Sequence, residues 1–316
     1  MQLLRGVAII AVILIHNAPG GLPQVFIRPF INFSVGLFLF LSGMLSNADW
    51  WHPTKRIMKI IVPYVLWTLI YTAMRTIKIL GQLPIQFIKS LITASSAAVM
   101  YYVFVYCQLT LLVPVIDKMS KSRYKYFCFL ISPLEIIIMR LFPLMNGYEI
   151  NPYISIIIRV SCLSWLIYFY LGYLMGNGML EIKTSTKKLF VALIVTIVLQ
   201  MLEGYWYWSM GDPNCGTQLK LSSLFTGTVF AILAFRFIEN YEVQKNKTTN
   251  IMKYIGDISF GIYFSHLAVM MVFRHIPFYL SVDVFPLNGI ITLIVSTVCI
   301  IIGRKIFGKY SKYLAL

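Results

Sequence analysis

The strongest constraint on this chain is a succession of long apolar runs separated by short polar or Pro/Gly breaks. A helix that crosses the hydrocarbon core needs about 20 consecutive, mostly apolar residues. Ten such segments can be drawn, at 3–18, 29–46, 57–78, 97–117, 124–143, 154–177, 188–205, 219–238, 256–274 and 286–306. We therefore predict an all-α integral membrane protein with about ten transmembrane helices. We expect residues 1–316 to form a single transmembrane domain with no appended soluble domain.

Composition supports a multi-pass membrane protein, because charged residues make up 12% of the chain, about half the fraction of soluble domains. The net charge of +16 could indicate a nucleic-acid partner, but the basic residues are dispersed over short loops. Most of them, including Lys245 and Lys247, collect in alternate loops, which are cytoplasmic by the positive-inside rule. Both termini are then cytoplasmic and no nucleic-acid partner is expected. The five cysteines show no metal-binding spacing, so no metal site is predicted.

The first segment, "LRGVAIIAVILIHN", carries two ionisable residues, Arg5 and His16. A signal peptide is an alternative for this segment, but no small-residue cleavage site precedes "GGLPQVF", so we expect a retained helix. Arg5 and His16 would lie on one face, about 20° apart in rotation and about 16 Å apart along the axis. Such a stripe is typical of the wall of a polar cavity. His16 can act as a general base near neutral pH, or it can be a satisfied core histidine.

Other ionisable residues in apolar surroundings have simpler interpretations. Glu135 and Arg140 are five residues apart on a proline-broken helix, and a structural ion pair is favoured over a catalytic pair. Glu203 lies beside "YWYW" and is assigned to an interfacial aromatic belt. The aromatic residues there could stack on sugars, but the interface is favoured. The role of Arg159 is left open.

A basic cluster, Lys55, Arg56 and Lys59, begins the third predicted span. It is either an ordinary positive-inside anchor or a landing site for a multiply anionic cytosolic ligand, because clustered cations bind phosphates. Ser42 in "FLSGMLSN" has a packing role by default, since small residues allow helices to approach closely. Small residues would also let a thin acyl chain pass.

Five sequence motifs together resemble the membrane-bound acyltransferase-3 family, ten-helix enzymes that O-acetylate bacterial surface glycans. They are "LRGVAIIAVILIH", "VGLFLFLSGMLS", "KRIMKIIVPY", "YYVFVYCQLTLLVPVI" and "IGDISFGIYFSHLAVM". The last resembles the late G-x-x-S-x-x-x-Y-x-x-H helix of the family and places Ser259, Tyr263 and His266 on its positions. The resemblance covers essentially the whole chain. It implies a multi-pass protein of the bacterial cytoplasmic membrane.

The resemblance further implies a membrane O-acyltransferase that uses acyl-CoA, usually acetyl-CoA, as a donor substrate and holds no permanent cofactor. His16 would deprotonate the acceptor hydroxyl or, less favoured, carry the acyl group, and Arg5 would orient the donor or stabilise negative charge. The phosphates of CoA would lie on Lys55, Arg56 and Lys59. Lysines stand here where the family often has two arginines, and lysine lacks the bidentate phosphate contact of arginine. Substrate-path candidates are Ser42, Tyr263 and His266.

The acceptor would be a hydroxyl of a surface polysaccharide or lipid-linked glycan, whose identity the sequence does not define. Acyl-chain length and oligomeric state are equally open. Two other functions remain at this stage. A transporter could export a small acid or modified glycan along the polar stripe without transferring anything. A membrane sensory domain is disfavoured, because we expect no soluble domain fused to residues 1–316.

Overall fold

This computed structural model describes residues 1–145, 151–240 and 246–316, and that part of the chain is helical with no strand. Lys245, assigned above to a cytoplasmic loop, lies outside the described residues. In chain order the α-helices are α1 (Gln2–Asn17), α2 (Leu22–Ile27), α3 (Ser34–Met44), α4 (Pro53–Thr76), α5 (Leu83–Thr93), α6 (Tyr101–Leu111), α7 (Val113–Ser120), α8 (Cys128–Met145), α9 (Pro152–Val160), α10 (Leu166–Gly176), α11 (Thr186–Ser209), α12 (Leu221–Asn240), α13 (Lys247–Asp257), α14 (Ser259–Phe273), α15 (Pro277–Leu280) and α16 (Leu287–Phe307). Short 3-10 helices lie at Arg28–Phe30, Leu80–Gln82, Lys125–Phe127, Leu163–Trp165 and Gly308–Leu314.

Proline sets the start of several of these helices. It occupies the first or second helical position of α2, α4, α5, α7 and α15. Proline suits this position because the missing N–H has no partner inside the helix and the fixed φ angle is already helical.

Seven of the described segments are long and apolar enough to cross a membrane, and the number rises to nine if two interrupted helix pairs each count as one span. The interrupted pairs are α6 with α7 and α13 with α14. The predicted span 3–18 forms α1, which has 16 residues and a length of about 24 Å, shorter than a hydrocarbon core of about 30 Å. The all-helical membrane fold is therefore confirmed, whereas ten spans and cytoplasmic termini stay predictions.

The chain divides into two compact units. Unit 1 comprises Met1–Trp51, Leu112–Asn151 and Leu163–Asp257. Inside it, α3 packs closely against α10. A Cβ atom on Gly43 would lie 2.0 Å from the carbonyl oxygen of Phe169, and one on Gly172 would lie 2.0 Å from that of Phe40. These two helices touch backbone to backbone, and glycine is required because any side chain would push them apart.

Unit 2 comprises His52–Leu111, Pro152–Cys162 and Ile258–Leu316. Its interior is rich in aromatic residues that join α4 to α14. Trp67 stacks on Phe264 with ring centroids 6.4 Å apart, and the hydroxyl of Tyr71 donates to the carbonyl oxygen of Phe264 at 2.6 Å. Trp67 Nε1 also donates to the carbonyl oxygen of Leu314 at 2.9 Å. These bonds satisfy polar atoms that burial would otherwise leave without partners.

Candidate functional site

The two ionisable residues of α1 lie near the two ends of the helix. Arg5 and His16 are both half-buried. Because α1 is helical from Gln2 to Asn17, the two residues share a face and lie about 16 Å apart along the axis. Arg5 Nη1 donates to Gln2 Oε1 at 3.2 Å, so the guanidinium points toward the start of the helix and away from His16.

The middle of the same face is closed. Ile9 and Val12 lie between Arg5 and His16 along the axis and about 20° to either side of them in rotation, and they are 0% and 2% exposed. A second half-exposed stripe, on a face rotated by about 160°, is apolar and comprises Leu3, Val7, Ile10 and Leu14. The helix thus presents two separate polar positions joined by buried apolar packing.

Neighbouring backbone holds α1 firmly within unit 1. A Cβ atom on Gly6 would lie 2.3 Å from the carbonyl oxygen of Met252, and one on Gly256 would lie 1.9 Å from that of Gln2. This close approach of α1 and α13 leaves the helix little freedom to slide or rotate, because interiors packed at this density have discrete arrangements. The polar face of α1 is therefore preorganised.

Ser42 lies on α3 in unit 1, next to the contact with α10. Its hydroxyl donates to the carbonyl oxygen of Phe38 at 2.8 Å, and its own carbonyl accepts from Ser46 Oγ at 2.8 Å. The adjacent Gly43 makes the close helix contact described above. This arrangement is typical of a packing role for the Ser42–Gly43 pair.

The basic cluster occupies the first two turns of α4 in unit 2. Lys55 and Lys59 are exposed and Arg56 is half-buried. The first turn contains no acidic residue, and neither lysine has a carboxylate partner among the described residues. The unpaired N–H groups at a helix start carry partial positive charge, which adds to the charge of the three side chains. The cluster has the chemistry of an anion-binding surface.

Tyr263 and His266 lie one turn apart on α14, and their rings are 6.2 Å apart. Both are buried, and His266 is 0% exposed. The hydroxyl of Tyr263 donates to the carbonyl oxygen of Val99 at 2.5 Å. His266 Nδ1 lies 2.9 Å from the carbonyl oxygen of Ile262, so this nitrogen carries the proton. Both side chains are held by backbone carbonyls inside unit 2, which is the arrangement of structural residues.

The predicted ion pair between Glu135 and Arg140 is wrong. Arg140 forms an ion pair with Asp212 and lies over the ring of Tyr207, 4.1 Å from its centroid. Glu135 accepts instead from Ser164 Oγ at 2.7 Å. Residues five apart on a helix point about 140° apart, whereas Asp212 reaches Arg140 from a different segment of unit 1.

Glu203 has a specific structural role that the aromatic-belt assignment missed. Its carboxylate accepts from the backbone N–H of Leu221 at 3.2 Å and of Ser222 at 2.8 Å. It therefore caps the start of α12, where N–H groups lack helical partners and favour negative charge.

Lys220 is a buried cation that the sequence patterns above do not single out. It lies between α11 and α12, and its side chain is 0% exposed. Its Nζ donates to the carbonyl oxygen of Gln200 at 3.1 Å, and burial lowers the pKa of Lys220 to about 8. One signal could have indicated it: Glu203, in the last two turns of α11, and Lys220, directly before α12, are opposite charges on the two sides of one loop between apolar helices.

Arg5, His16 and Ser42 thus belong to unit 1, and the basic cluster, Tyr263 and His266 belong to unit 2. The helices define a polytopic membrane protein. The family model described as an acyltransferase domain matches residues 1–304. The chain therefore belongs to the acyltransferase-3 family, and it is a membrane acyltransferase. Comparison with curated proteins and with solved structures gives no match.

Proposed function

We propose that the protein transfers an acyl group, most simply acetyl, from cytosolic acyl-CoA to a hydroxyl of a surface polysaccharide or lipid-linked glycan. It would do so in the bacterial cytoplasmic membrane, with ten spans and both termini in the cytoplasm. The observation that carries the proposal is the half-buried His16 on the preorganised polar face of α1, in a chain that belongs to an acyltransferase family.

The reaction needs little beyond alignment and a base, because a thioester is already activated. The acceptor oxygen attacks the carbonyl carbon of the acyl group, forming a C–O bond, and the C–S bond breaks. His16 takes the hydroxyl proton as the bond forms and returns it to the departing thiolate. The products are an ester and free CoA thiol, and His16 ends in its starting protonation state.

Arg5 is assigned to donor orientation because of its separation from His16. The two residues lie about 16 Å apart along the helix, and the Arg5 side chain is directed toward Gln2. A group so placed does not reach the oxyanion that develops beside His16, where stabilising donors must lie within hydrogen-bond distance. We therefore treat Arg5 as a positioning residue for the acyl-CoA arm.

Donor phosphates are assigned to Lys55, Arg56 and Lys59. This role is supported by the two exposed lysines, the absence of an acidic residue in the first turn and the helix start itself. Charge-assisted hydrogen bonds to phosphate are about twice as strong as neutral ones. Three clustered cations suit a ligand that carries several phosphate charges.

The test uses detergent-purified protein with radiolabelled acetyl-CoA and a lipid-linked glycan extract. Thiol release and label transfer are compared for wild type, His16→Ala and His275→Ala. His275 is exposed and lies two residues after the end of α14, so it is the matched histidine control. Transfer by wild type and His275→Ala but not by His16→Ala supports the proposal. Equal donor binding by all three proteins without turnover rejects it and favours a transporter.

A further inference from the structure

A buried polar cluster lies in unit 1 where the 3-10 helix after α2 meets the turn between α11 and α12. We call it the Lys220 cluster, and its members are Arg28, Asn32, Gln200, Glu203 and Lys220. Asn32 Nδ2 donates to Gln200 Oε1 at 2.5 Å and to the carbonyl oxygen of Gly216 at 3.2 Å. Lys220 Nζ donates to the backbone of Gln200. Hydrogen bonds thus connect Asn32, Gln200 and Lys220, and the charges of Glu203 and Arg28 act on Lys220.

Several polar atoms of this network lack a hydrogen-bond partner within the described chain. Gln200 is 0% exposed and Asn32 3% exposed, yet Gln200 Nε2, Asn32 Oδ1 and Arg28 Nε have none. Lys220 uses one of its three ammonium donors. Buried polar groups in native proteins are normally satisfied. Donors and acceptors left open together, on adjacent side chains, indicate a place for a ligand.

The cluster also has excess positive charge. Glu203 is engaged by the start of α12, and Asp212 forms an ion pair with Arg140. Arg28 then has no carboxylate partner among the described residues, and Lys220 adds a second cation. Two cations whose local carboxylates are already engaged favour an anionic ligand.

Arg28 is the more accessible of the two cations in the cluster. Its side chain is half-buried, and its stem passes the backbone at Gly216, where a Cβ atom would lie 2.9 Å from Arg28 Cδ. Asn32, Gln200 and Lys220 are buried. Arg28 can offer a bidentate contact to a carboxylate or phosphate, and the open amide atoms can take hydroxyl groups.

We propose that the Lys220 cluster binds the acidic group of the acceptor, which is a sugar bearing a carboxylate or a phosphate. The anion contacts Arg28 and lies in the field of Lys220, while sugar hydroxyls meet Asn32 Oδ1 and Gln200 Nε2. This inference rests on the proposed function, because it names the class of the acceptor. Chain order agrees with it, since α2 begins five residues after the end of the α1 helix that carries His16.

The experiment measures equilibrium binding of three probes to detergent-purified protein: glucuronate, glucose 1-phosphate and neutral glucose. We expect wild type to bind one of the acidic sugars at least about tenfold more tightly than glucose, as a charge-assisted contact provides. The acid that binds more tightly identifies the anion. Arg28→Met should remove this preference. Lys188→Met, an exposed lysine on α11, should keep it.

Lys220→Met tests the buried charge, and Arg28→Met keeps the test decisive if Lys220→Met fails to fold. Equal binding of acidic and neutral sugars by wild type, with Arg28→Met changing only thermal stability, overturns the inference and makes the cluster structural. The acyl-transfer assay is scored separately. Anion preference without transfer would reject the proposed enzyme chemistry alone, and transfer to neutral glycans without anion preference would reject this inference alone.

Discussion

His16 and His266 lie on apolar helices of nearly equal length, 16 and 15 residues, and their surroundings are opposite. His16 is half-buried near the end of α1. His266 is 0% exposed, and its Nδ1 faces a carbonyl of its own helix. Both histidines match positions in motifs that resemble the family, so sequence alone ranks them by resemblance only. Accessibility separates them: a proton acceptor for substrate must be reachable, whereas a sealed histidine holds helices together.

The largest effect that this comparison predicts is on turnover at His16. His16→Ala should lower kcat by about 10²- to 10⁴-fold, the usual contribution of a general base. The thermal unfolding midpoint and acetyl-CoA binding should stay near wild type, because the side chain is half-buried. Steady-state transfer kinetics with a parallel thermal melt make the measurement. Full activity in this variant would show that His16 is not the general base.

The basic cluster extends the comparison to accessible cations. Replacing Lys55, Arg56 and Lys59 together by Ala should raise KM for acetyl-CoA by about 10- to 100-fold with little change in kcat. The reason is that contacts to the CoA phosphates are equally strong in the ground state and in the transition state. The matched control replaces Lys187 and Lys188, two exposed lysines in the first turn of α11, by Ala. If the control raises KM as much as the cluster variant, the cluster is an electrostatic anchor and nothing more.

His266 should behave as a packing residue. His266→Ala leaves a cavity inside unit 2 and should lower the free energy of unfolding by about 2 to 4 kcal/mol. The kcat of the protein that remains folded should change less than about twofold, since no reacting atom is touched. Thermal melts and active-site-normalised turnover test this. A large loss of kcat at an unchanged melting midpoint would show that His266, like His16, takes part in the reaction.

The smallest predicted effect is the pH dependence of acidic-sugar binding. It arises from Lys220, which is a buried cation, unlike the exposed lysines of the basic cluster. Its ammonium faces Glu203, Arg140, Arg28 and Cys215, and burial lowers its pKa from the ordinary 10.5 to about 8. Protonated Lys220 attracts an anion, so affinity for an acidic sugar should be full below pH 7 and decline as pH rises through about 8. We expect a decline of at most about tenfold by pH 9.5.

Two other groups in the Lys220 surroundings do not obscure this titration. Arg28 stays charged throughout, and burial raises the pKa of the Cys215 thiol above its ordinary value. Lys220→Met should abolish the pH dependence. Folding stability should change with pH in the opposite direction to acidic-sugar affinity. Between pH 8 and 10.5 the unfolded chain binds more protons than the folded protein, so the free energy of unfolding should rise with pH there. Isothermal titration at several pH values makes the measurement, and a flat profile in wild type would exclude Lys220 from anion binding.

The sequence by itself determined the all-helical membrane class, the shared face of Arg5 and His16, the basic start of α4 and the family. These follow from hydropathy, helical periodicity and local motifs, which depend on residues close together in the chain. The predicted segment 97–117 is one apolar run, but the structure interrupts it at Leu112, between α6 and α7. Hydropathy does not reveal such a break, because both halves stay apolar.

Only the tertiary structure decided the partners of the remaining ionisable groups. Arg140 pairs with Asp212, 72 positions away, and Asn32 donates to Gln200, 168 positions away. Such contacts depend on how helices pack, and helical periodicity carries no information about packing partners. The same holds for burial, because an apolar helix that faces lipid and one that faces protein have the same composition. That is why sequence could name both His16 and His266, and why structure was needed to place one within reach and the other in the interior.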